Sequence, residues 1–172
     1  MMLSLALVLF LVAALGADAA PQAKPKETEA DKLSQMVTIS GECTKLVHAG
    51  QPIGGCKSIL VNMNYNSTGV SGYWFMTQNT ILSFAGDGSR RIEQGSDGVI
   101  QAIERIFLAD MVNERSANDA KEDPAVGFCR FGDPTKRGTT VECVAYTQAG
   151  LYEGTFVTDG KPPMLEEFQL SR

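Results

Sequence analysis

The chain has 172 residues, of which 15 are Lys or Arg and 20 are Asp or Glu, giving a formal net charge of −5. This acidic balance argues against nucleic acid as a main partner, because polyanions are bound through an excess of basic side chains. Hydrophobic residues make up 44% of the sequence, which is enough to build one domain around its own core.

The sequence begins with a signal-peptide pattern. Residues 1–16 form an apolar run, and Ala17-Asp18-Ala19 has the form of a cleavage site, although no Lys or Arg precedes the run. The run is shorter than the ~20 apolar residues that a membrane span needs. Cleavage after Ala19 removes one acid and no base, so the net charge of −5 becomes −4. We expect residues 1–19 to be a signal peptide and the mature protein to be periplasmic or secreted, with no membrane span.

The segment after the cleavage site differs in composition from the rest. Residues 20–35 are rich in Pro, Lys, Glu and Ala and show no apolar periodicity, which predicts a disordered linker. From Met36 onward, β-favouring residues and turn residues follow one another, so residues 36–172 are predicted to form a single all-β domain.

Two parts of this domain, 36–84 and 125–168, show the same order of landmarks. Each has two cysteines at nearly equal spacing, then a glycine, then a β-rich run that ends in Phe-x-Thr. At one constant offset, the landmarks Gly69, Phe75 and Thr77 recur as Gly150, Phe156 and Thr158. We interpret the two parts as internal repeats of about four strands each, in a meander. The repeats are predicted to pack as the halves of a sandwich or of a closed barrel.

The four cysteines are predicted to form two disulfides. An even number of cysteines in an exported chain is typical of disulfides, and the close Cys-x-x-Cys spacing of zinc sites is absent. Sequence alone permits three pairings, but one pair per repeat favours Cys43–Cys56 and Cys129–Cys143.

Local hairpins support these pairs. In the corresponding registers, Val47 lies opposite Pro52 and Asp133 lies opposite Thr139, which leaves loops of ordinary hairpin length that contain Gly or Pro.

Further strands are predicted in chain order. Ser58–Tyr65 and Val70–Thr77 flank a turn at residues 66–69, and a short fourth strand follows at Ile81–Phe84. The counterpart of that fourth strand in the second repeat is Met164–Phe168.

The segment between the repeats is harder to assign. Residues 85–98 and 113–123 are polar and predict loops, the second ended by Pro124. Between them, residues 99–112 place Val99, Ile103 and Ile106 on one helical face, but the run is also rich in β-branched residues. Periodicity favours one helix in 99–112, with a strand as the alternative.

The paired Gly-x-Cys…Cys modules and the closing sequence Phe-Val-Thr-Asp-Gly-Lys-Pro-Pro at 156–163 resemble a group of small exported bacterial proteins of unknown function. The resemblance covers about residues 38–168. It implies a strand near residues 99–108, although Val99 and Glu104 depart from the aromatic and Asp pattern of that group. The shared motifs are structural, so the resemblance implies no activity.

No catalytic, cofactor or metal site is predicted. His48, the single histidine, is expected at a hairpin tip, and no Gly-x-Ser-x-Gly motif occurs. The carboxylates are numerous, but no spacing selects a pair for acid–base catalysis. Residues 86–89 and 95–98 resemble calcium loops only in their glycines and lack the spaced acids of such loops.

Aromatic residues are the best candidates for ligand contact. Tyr65, Tyr73 and Trp74 could stack on a sugar ring or pack into a partner groove. A packing role is favoured for Trp74, which we predict to be largely buried, either in the main core or under the 99–112 segment. The pair Arg90-Arg91 lies in a polar segment and is expected to be solvated, with contact to an acidic partner as the alternative.

The sequence therefore predicts an exported, non-enzymatic β domain with a binding or structural role in the cell envelope. The partner is an unknown protein or glycan, and no cofactor is expected. Two alternatives remain open, namely a carboxylate-dependent hydrolase of an envelope or extracellular substrate and a carbohydrate-binding module.

Overall fold

The computed structural model describes residues 33–95, 98–111 and 120–169, which contain eleven β-strands and one short 3-10 turn at Gly88–Arg90. The strands are β1 (Ser34–His48), β2 (Gln51–Pro52), β3 (Ile59–Tyr65), β4 (Val70–Met76), β5 (Thr80–Asp87), β6 (Ile92–Glu93), β7 (Val99–Asp110), β8 (Lys121–Phe131), β9 (Thr140–Thr147), β10 (Gly150–Thr158) and β11 (Met164–Phe168). The predicted all-β class is confirmed.

Eight antiparallel strands form a closed barrel in the order β1-β3-β4-β5-β7-β8-β9-β10, and β10 pairs with β1 to close it. The long strand β1 makes the closure possible. Its residues Gln35–Ser40 pair with β3, and its residues Gly41–Val47 pair with β10. Closure gives each of the eight barrel strands a barrel neighbour on both sides over at least part of its length. The three short strands lie outside this circuit, since β2 and β11 pair with β1 and β6 pairs with β7.

Side chains fill the interior of the barrel. Because alternate residues of a strand point to opposite faces, every second residue of each barrel strand enters the core. The largest fully buried apolar side chains are Tyr152, Phe75, Phe84, Phe156, Leu60, Leu82, Ile103 and Ile106. Most of the barrel is therefore a packed core and not a channel.

Both predicted disulfide pairs are present. Cys129 and Cys143 are direct partners in the β8–β9 ladder, and Cys43 of β1 is joined to Cys56 in the connection between β2 and β3. The predicted pairing of Val47 with Pro52 is also observed. Two disulfides are consistent with an oxidising compartment.

The strand order of the two predicted repeats agrees over three strands and not over four. In each half, the first three major strands are neighbours: β1, β3 and β4 in one, and β8, β9 and β10 in the other. The fourth strands differ, because β5 pairs with β4 whereas β11 pairs with β1. The tail strand β11 thus covers the free side of the first half of β1.

The predicted helix in 99–112 is wrong, since residues Val99–Asp110 form β7. This strand pairs with β5 on one side and β8 on the other. A register shift between Ile103 and Arg105 sets the single residue Glu104 of β7 opposite two residues of β8, Ala125 and Val126, and interrupts the regular alternation of faces. Ile103 and Ile106 therefore both face the core although they are three residues apart, and this spacing imitates one face of a helix.

The predicted loop at 113–123 is wrong in its last residues, because β8 begins at Lys121. Lys121–Asp123 and Pro124 belong to β8, and Pro124 lies opposite Arg105, next to the same register shift. A proline has no N–H for a regular ladder, so a position beside a bulge accommodates it. Residues 113–119 of the predicted loop lie outside the described residues. The other predicted loop, 85–98, is shorter than expected because β5 continues to Asp87 and residues 92–93 form β6.

The predicted signal peptide, 1–19, and most of the predicted linker, 20–35, lie outside the described residues. Ser34 and Gln35, assigned to the linker, begin β1 instead and pair with Phe168 and Glu167 of β11. In the part of the chain that the structure describes, no helix is long and apolar enough to cross a membrane.

Candidate functional site

Polar side chains occupy the interior at one end of the barrel, where β3 ends and β4 begins; we call this the polar end. Along β3 the inward series is Leu60, Asn62 and Asn64, so it changes from apolar to amide towards this end. Along β4 the inward series approaches the same end as Tyr73 and then Ser71. The antiparallel pairing of β3 with β4 brings the polar members of both series together.

These residues are joined by hydrogen bonds. Asn62 Nδ2 donates to Ser71 Oγ at 3.1 Å and to the Gly72 carbonyl at 3.0 Å, while Asn64 Nδ2 donates to Asn62 Oδ1 at 2.9 Å. Gln101 of β7 is fully buried, and its Nε2 donates to the Ser71 carbonyl at 2.9 Å. The buried amides are thus hydrogen-bonded, which is what an apolar barrel interior requires.

Arg91 extends this network towards solvent. It follows the 3-10 turn that Asp87 caps, and its Nε donates to Gln101 Oε1 at 3.1 Å. Its Nη2 donates to Asn64 Oδ1 at 2.9 Å and to Ser71 Oγ at 2.8 Å. All three acceptors are neutral. Among the described residues, no carboxylate is paired with the Arg91 guanidinium.

An aromatic ring lies beneath the same guanidinium. The Arg91 Cζ atom is 5.6 Å from the centre of the Phe131 ring, which is within the range of a cation–π contact. Tyr73 packs on Phe131 with ring centres 5.2 Å apart and is almost completely buried. Burial raises the pKa of the Tyr73 hydroxyl well above its usual range, and the charge of Arg91 opposes this shift only in part. Tyr73 therefore carries a neutral hydroxyl at any physiological pH.

Two cavities open at the polar end, on either side of this network. The inner cavity, of about 460 Å³, is lined by Val37, Ile39, Asn62, Tyr73, Glu93, Gly95, Gly98, Val99, Phe131, Gly132, Asp133, Pro134 and Val141. The polar groove, of about 480 Å³, is lined by Gln35, Asn64, Tyr65, Asn66, Gly69, Val70, Ser71, Gly88, Ser89 and Arg91. Asn62 and Tyr73 face the first, and Asn64, Ser71 and Arg91 face the second. Mouths of β-barrels are a common place for ligand sites.

Three carboxyl groups in the described residues have clearly shifted pKa values, and all three shift downward. Side-chain and backbone hydrogen bonds from Ser89 lower the pKa of Asp87, and those from Thr135 lower the pKa of Asp133 in the inner cavity. Hydrogen bonds from the Lys161 side chain and backbone lower the pKa of Asp159 to about 2. Such carboxyl groups are ionised at neutral pH and hold no proton to donate to a substrate.

The three aromatic residues predicted as ligand contacts occupy three different places. Tyr73 lies in the inner cavity and Tyr65 lines the polar groove. Trp74 points to the outer face of the barrel, where it is half-buried and does not belong to the core. Its cross-strand partner on that face is Val61, as the predicted register implies.

Trp74 forms one wall of an apolar outer groove of about 350 Å³. The groove is lined by Tyr65, Val70, Gly72, Trp74, Ile81, Ser83, Ala85, Phe107, Ala109 and Ala120. Phe107 belongs to β7, so the segment predicted to cover Trp74 does contact the same groove. His48 lies at the end of β1, remote from the polar end, and packs on Tyr152 with ring centres 5.3 Å apart. A packing contact accounts for His48.

Sequence reasoning missed the polar network itself. Arg91 is exposed, as expected, but its hydrogen bonds to the polar end were not predicted, and Gln101 belongs to the segment that was predicted to be a helix. A usable signal was present, because Asn62 and Asn64 continue the period-two series of the core residue Leu60. Polar residues that continue a core series towards one strand end indicate a polar barrel mouth.

Comparisons with known proteins do not assign the chain to a family. No family model matches the sequence, and no curated protein and no solved structure matches it either. Within the described residues, no three His, Cys, Asp or Glu side chains are grouped as a metal site would require. The geometry of the polar end is thus what indicates a function.

Proposed function

We propose that this protein is an exported, non-enzymatic binding domain of the cell envelope or exterior, and that the polar end of the barrel is its ligand site. The observation that carries this proposal is Arg91. Its guanidinium lines the polar groove, is held by three neutral acceptors and has no carboxylate partner among the described residues. A charge fixed in this way is available to a ligand.

The rigidity of the scaffold supports a binding role. The barrel is closed by continuous strand pairing and joined by two disulfides, so its end is organised before any ligand arrives. A preorganised site loses little conformational freedom on binding, and that raises affinity. The disulfides, together with the sequence at residues 1–19 and the resemblance to small exported proteins, support export.

The hydrolase alternative has less support. Asp133 and Glu93 both line the inner cavity, which meets the first requirement for a carboxylate pair. A general acid, however, needs a raised pKa so that it holds its proton at neutral pH, whereas hydrogen bonds from Thr135 lower the pKa of Asp133. The carbohydrate-binding alternative fits the proposal, because Tyr65 lies beside amide and hydroxyl side chains in the polar groove.

The test is an NMR titration of the ¹⁵N-labelled exported protein with fractions of an extract from its own cell envelope. We expect signals of the polar end, including the side-chain amides of Asn62, Asn64 and Gln101, to shift with an active fraction. The indole signal of Trp74 serves as an internal control for the outer groove. If shifts are confined to Trp74 and its neighbours, or if no fraction shifts the polar end, the proposed site is wrong. Breakdown of the active fraction over time would instead favour the hydrolase.

A further inference from the structure

The chemistry of the polar groove narrows the ligand class, if the proposed function holds. Its side chains are mostly neutral hydrogen-bonding groups, namely the amides of Gln35, Asn64 and Asn66 and the hydroxyls of Ser71 and Ser89. Gln35 already donates to Glu167 and Ser89 to Asp87, but amides and hydroxyls both donate and accept, so their remaining capacity suits a ligand rich in hydroxyl groups. Among the described residues that line the groove, Arg91 carries the single charge.

The donors of Arg91 are only partly used. Guanidinium has five N–H donors, and three of those of Arg91 are directed at Gln101, Asn64 and Ser71. Within the described residues, the structure records no acceptor for its Nη1 atom. The three existing bonds fix the plane of the guanidinium, so the remaining donors are held in position for an anionic oxygen.

The net charge of the groove indicates which anion. A phosphate group carries nearly two negative charges at neutral pH, and its sites use several cations or backbone N–H groups. The polar groove offers a single guanidinium. One positive charge is matched by one carboxylate, which also has the planar shape that guanidinium recognises.

The groove has an aromatic wall as well. Tyr65 is half-buried and lines both the polar groove and the outer groove. A tyrosine in this position presents an apolar ring face and a polar hydroxyl to the same ligand, which suits a ring with apolar C–H faces and polar edges.

From these observations we infer that the polar groove binds an acidic saccharide, a sugar that carries a carboxylate, and that Arg91 recognises this carboxylate. The amides and hydroxyls of the groove bind the sugar hydroxyl groups, and Tyr65 packs against the sugar ring. The inference rests on the proposed function, because it concerns the same end of the barrel.

The test compares matched sugars by NMR titration and calorimetry of the exported protein. The probes are glucuronic acid with glucose, and galacturonic acid with galactose, together with oligosaccharides of each. We expect at least one acidic member to bind in the millimolar range or tighter and its neutral match to bind at least about tenfold more weakly, as loss of a charged hydrogen bond predicts. Glucose 6-phosphate is included to separate a carboxylate site from a phosphate site.

Variants at two adjacent arginines separate recognition from general charge. Arg91→Gln should remove the preference for the acid, and Arg91→Lys should restore part of it, because a lysine keeps the charge without the planar fork. Arg90→Gln is the matched control. It makes the same change in charge at an equally exposed position, but Arg90 does not line the groove and pairs with Asp87 at 3.6 Å. We expect the Arg90→Gln variant to bind the acidic and the neutral sugars with the same affinities as the unaltered protein.

A second variant covers the case in which Arg91→Gln disturbs the fold. Asn66 is exposed and lines the groove, so Asn66→Ala should weaken binding of the acidic and the neutral sugar by the same factor without changing the NMR signals of the core.

Three outcomes would each overturn the inference. They are equal binding of the acidic and the neutral sugar, tighter binding of the sugar phosphate, and a preference for the acid that persists in a folded Arg91→Gln variant. The inference is also overturned if no acidic sugar binds. In that case, NMR shifts at the polar end with an extract fraction would leave the proposed function intact.

Discussion

Gly154 packs against Phe75, and the structure predicts how much stability a larger residue at position 154 would cost. Gly154 points into the barrel between two buried aromatics of β10, Tyr152 and Phe156. A Cβ atom added to Gly154 would lie 2.6 Å from two atoms of the Phe75 ring and 2.9 Å from a third. Carbon atoms normally approach no closer than about 3.5 Å, so Gly154→Ala creates an overlap of about 1 Å with the ring.

Phe75 has little room to move away from the added methyl group. It is 1% exposed, and its ring packs edge-on against Phe84 with ring centres 5.6 Å apart. Overpacking of a dense core costs about 1–3 kcal/mol, and we expect Gly154→Ala to lower the free energy of unfolding by that amount. Urea or guanidinium unfolding with the disulfides intact measures the change as a lower midpoint at constant m-value.

A double variant and a control identify the cause. Phe75→Leu removes the ring atoms that collide, so Gly154→Ala should cost at least about 1 kcal/mol less in the Phe75→Leu background than in the unaltered protein. Gly54→Ala is the control, because its added Cβ meets nothing within 4 Å. It should be neutral or stabilising by up to about 1 kcal/mol through the unfolded chain. The steric explanation is refuted if Gly154→Ala is neutral, or if its cost is the same in both backgrounds.

Three other expectations follow from the described contacts. Trp74→Ala should lower the free energy of unfolding by less than the ~3–5 kcal/mol that a fully buried aromatic contributes, because Trp74 is half-buried. Acrylamide should partly quench the fluorescence of Trp74 in the folded protein. A loss of ~3–5 kcal/mol would instead place Trp74 in the core. Because hydrogen bonds from Lys161 lower the pKa of Asp159 from 3.8 to about 2, its contribution to stability is present above pH 3.8 and is lost as the pH falls towards 2. Asp159→Asn should therefore show a shallower loss of stability in that window of an acid titration, and an unchanged slope would contradict this. Replacing Cys43 and Cys56 by Ser opens a loop with a sequence separation of 13 and should cost about 3 kcal/mol in chemical denaturation, whereas no loss would mean that the unfolded chain is not restrained by this bond.

The strand pattern predicted some residues of the candidate site and not others. Tyr73 and Tyr65 were found as aromatic candidates from sequence, and both line cavities at the polar end. The hydrogen bonds of Arg91 were not predicted, because an exposed charged residue in a polar segment usually contacts only solvent. The position of the Arg91 guanidinium depends on Gln101, which is ten residues away in sequence. The two side chains meet because the chain turns back between β5 and β7.

The amino-acid sequence by itself determined the features that depend on near neighbours along the chain. The disulfide pairs, the Val47–Pro52 register and the turn at residues 66–69 are closed by short loops, whose geometry is set by local Gly, Pro and Asn residues. Tertiary structure decided the features that depend on distant partners.

The strand β7 shows the physical reason. In isolation, the three-residue spacing of Ile103 and Ile106 is as compatible with a helix as with a strand. Only pairing with β5 and β8 fixes the extended form, and the register shift against β8 at Glu104 then lets both isoleucines face the core. Closure of the barrel between β1 and β10 likewise joins residues more than a hundred positions apart.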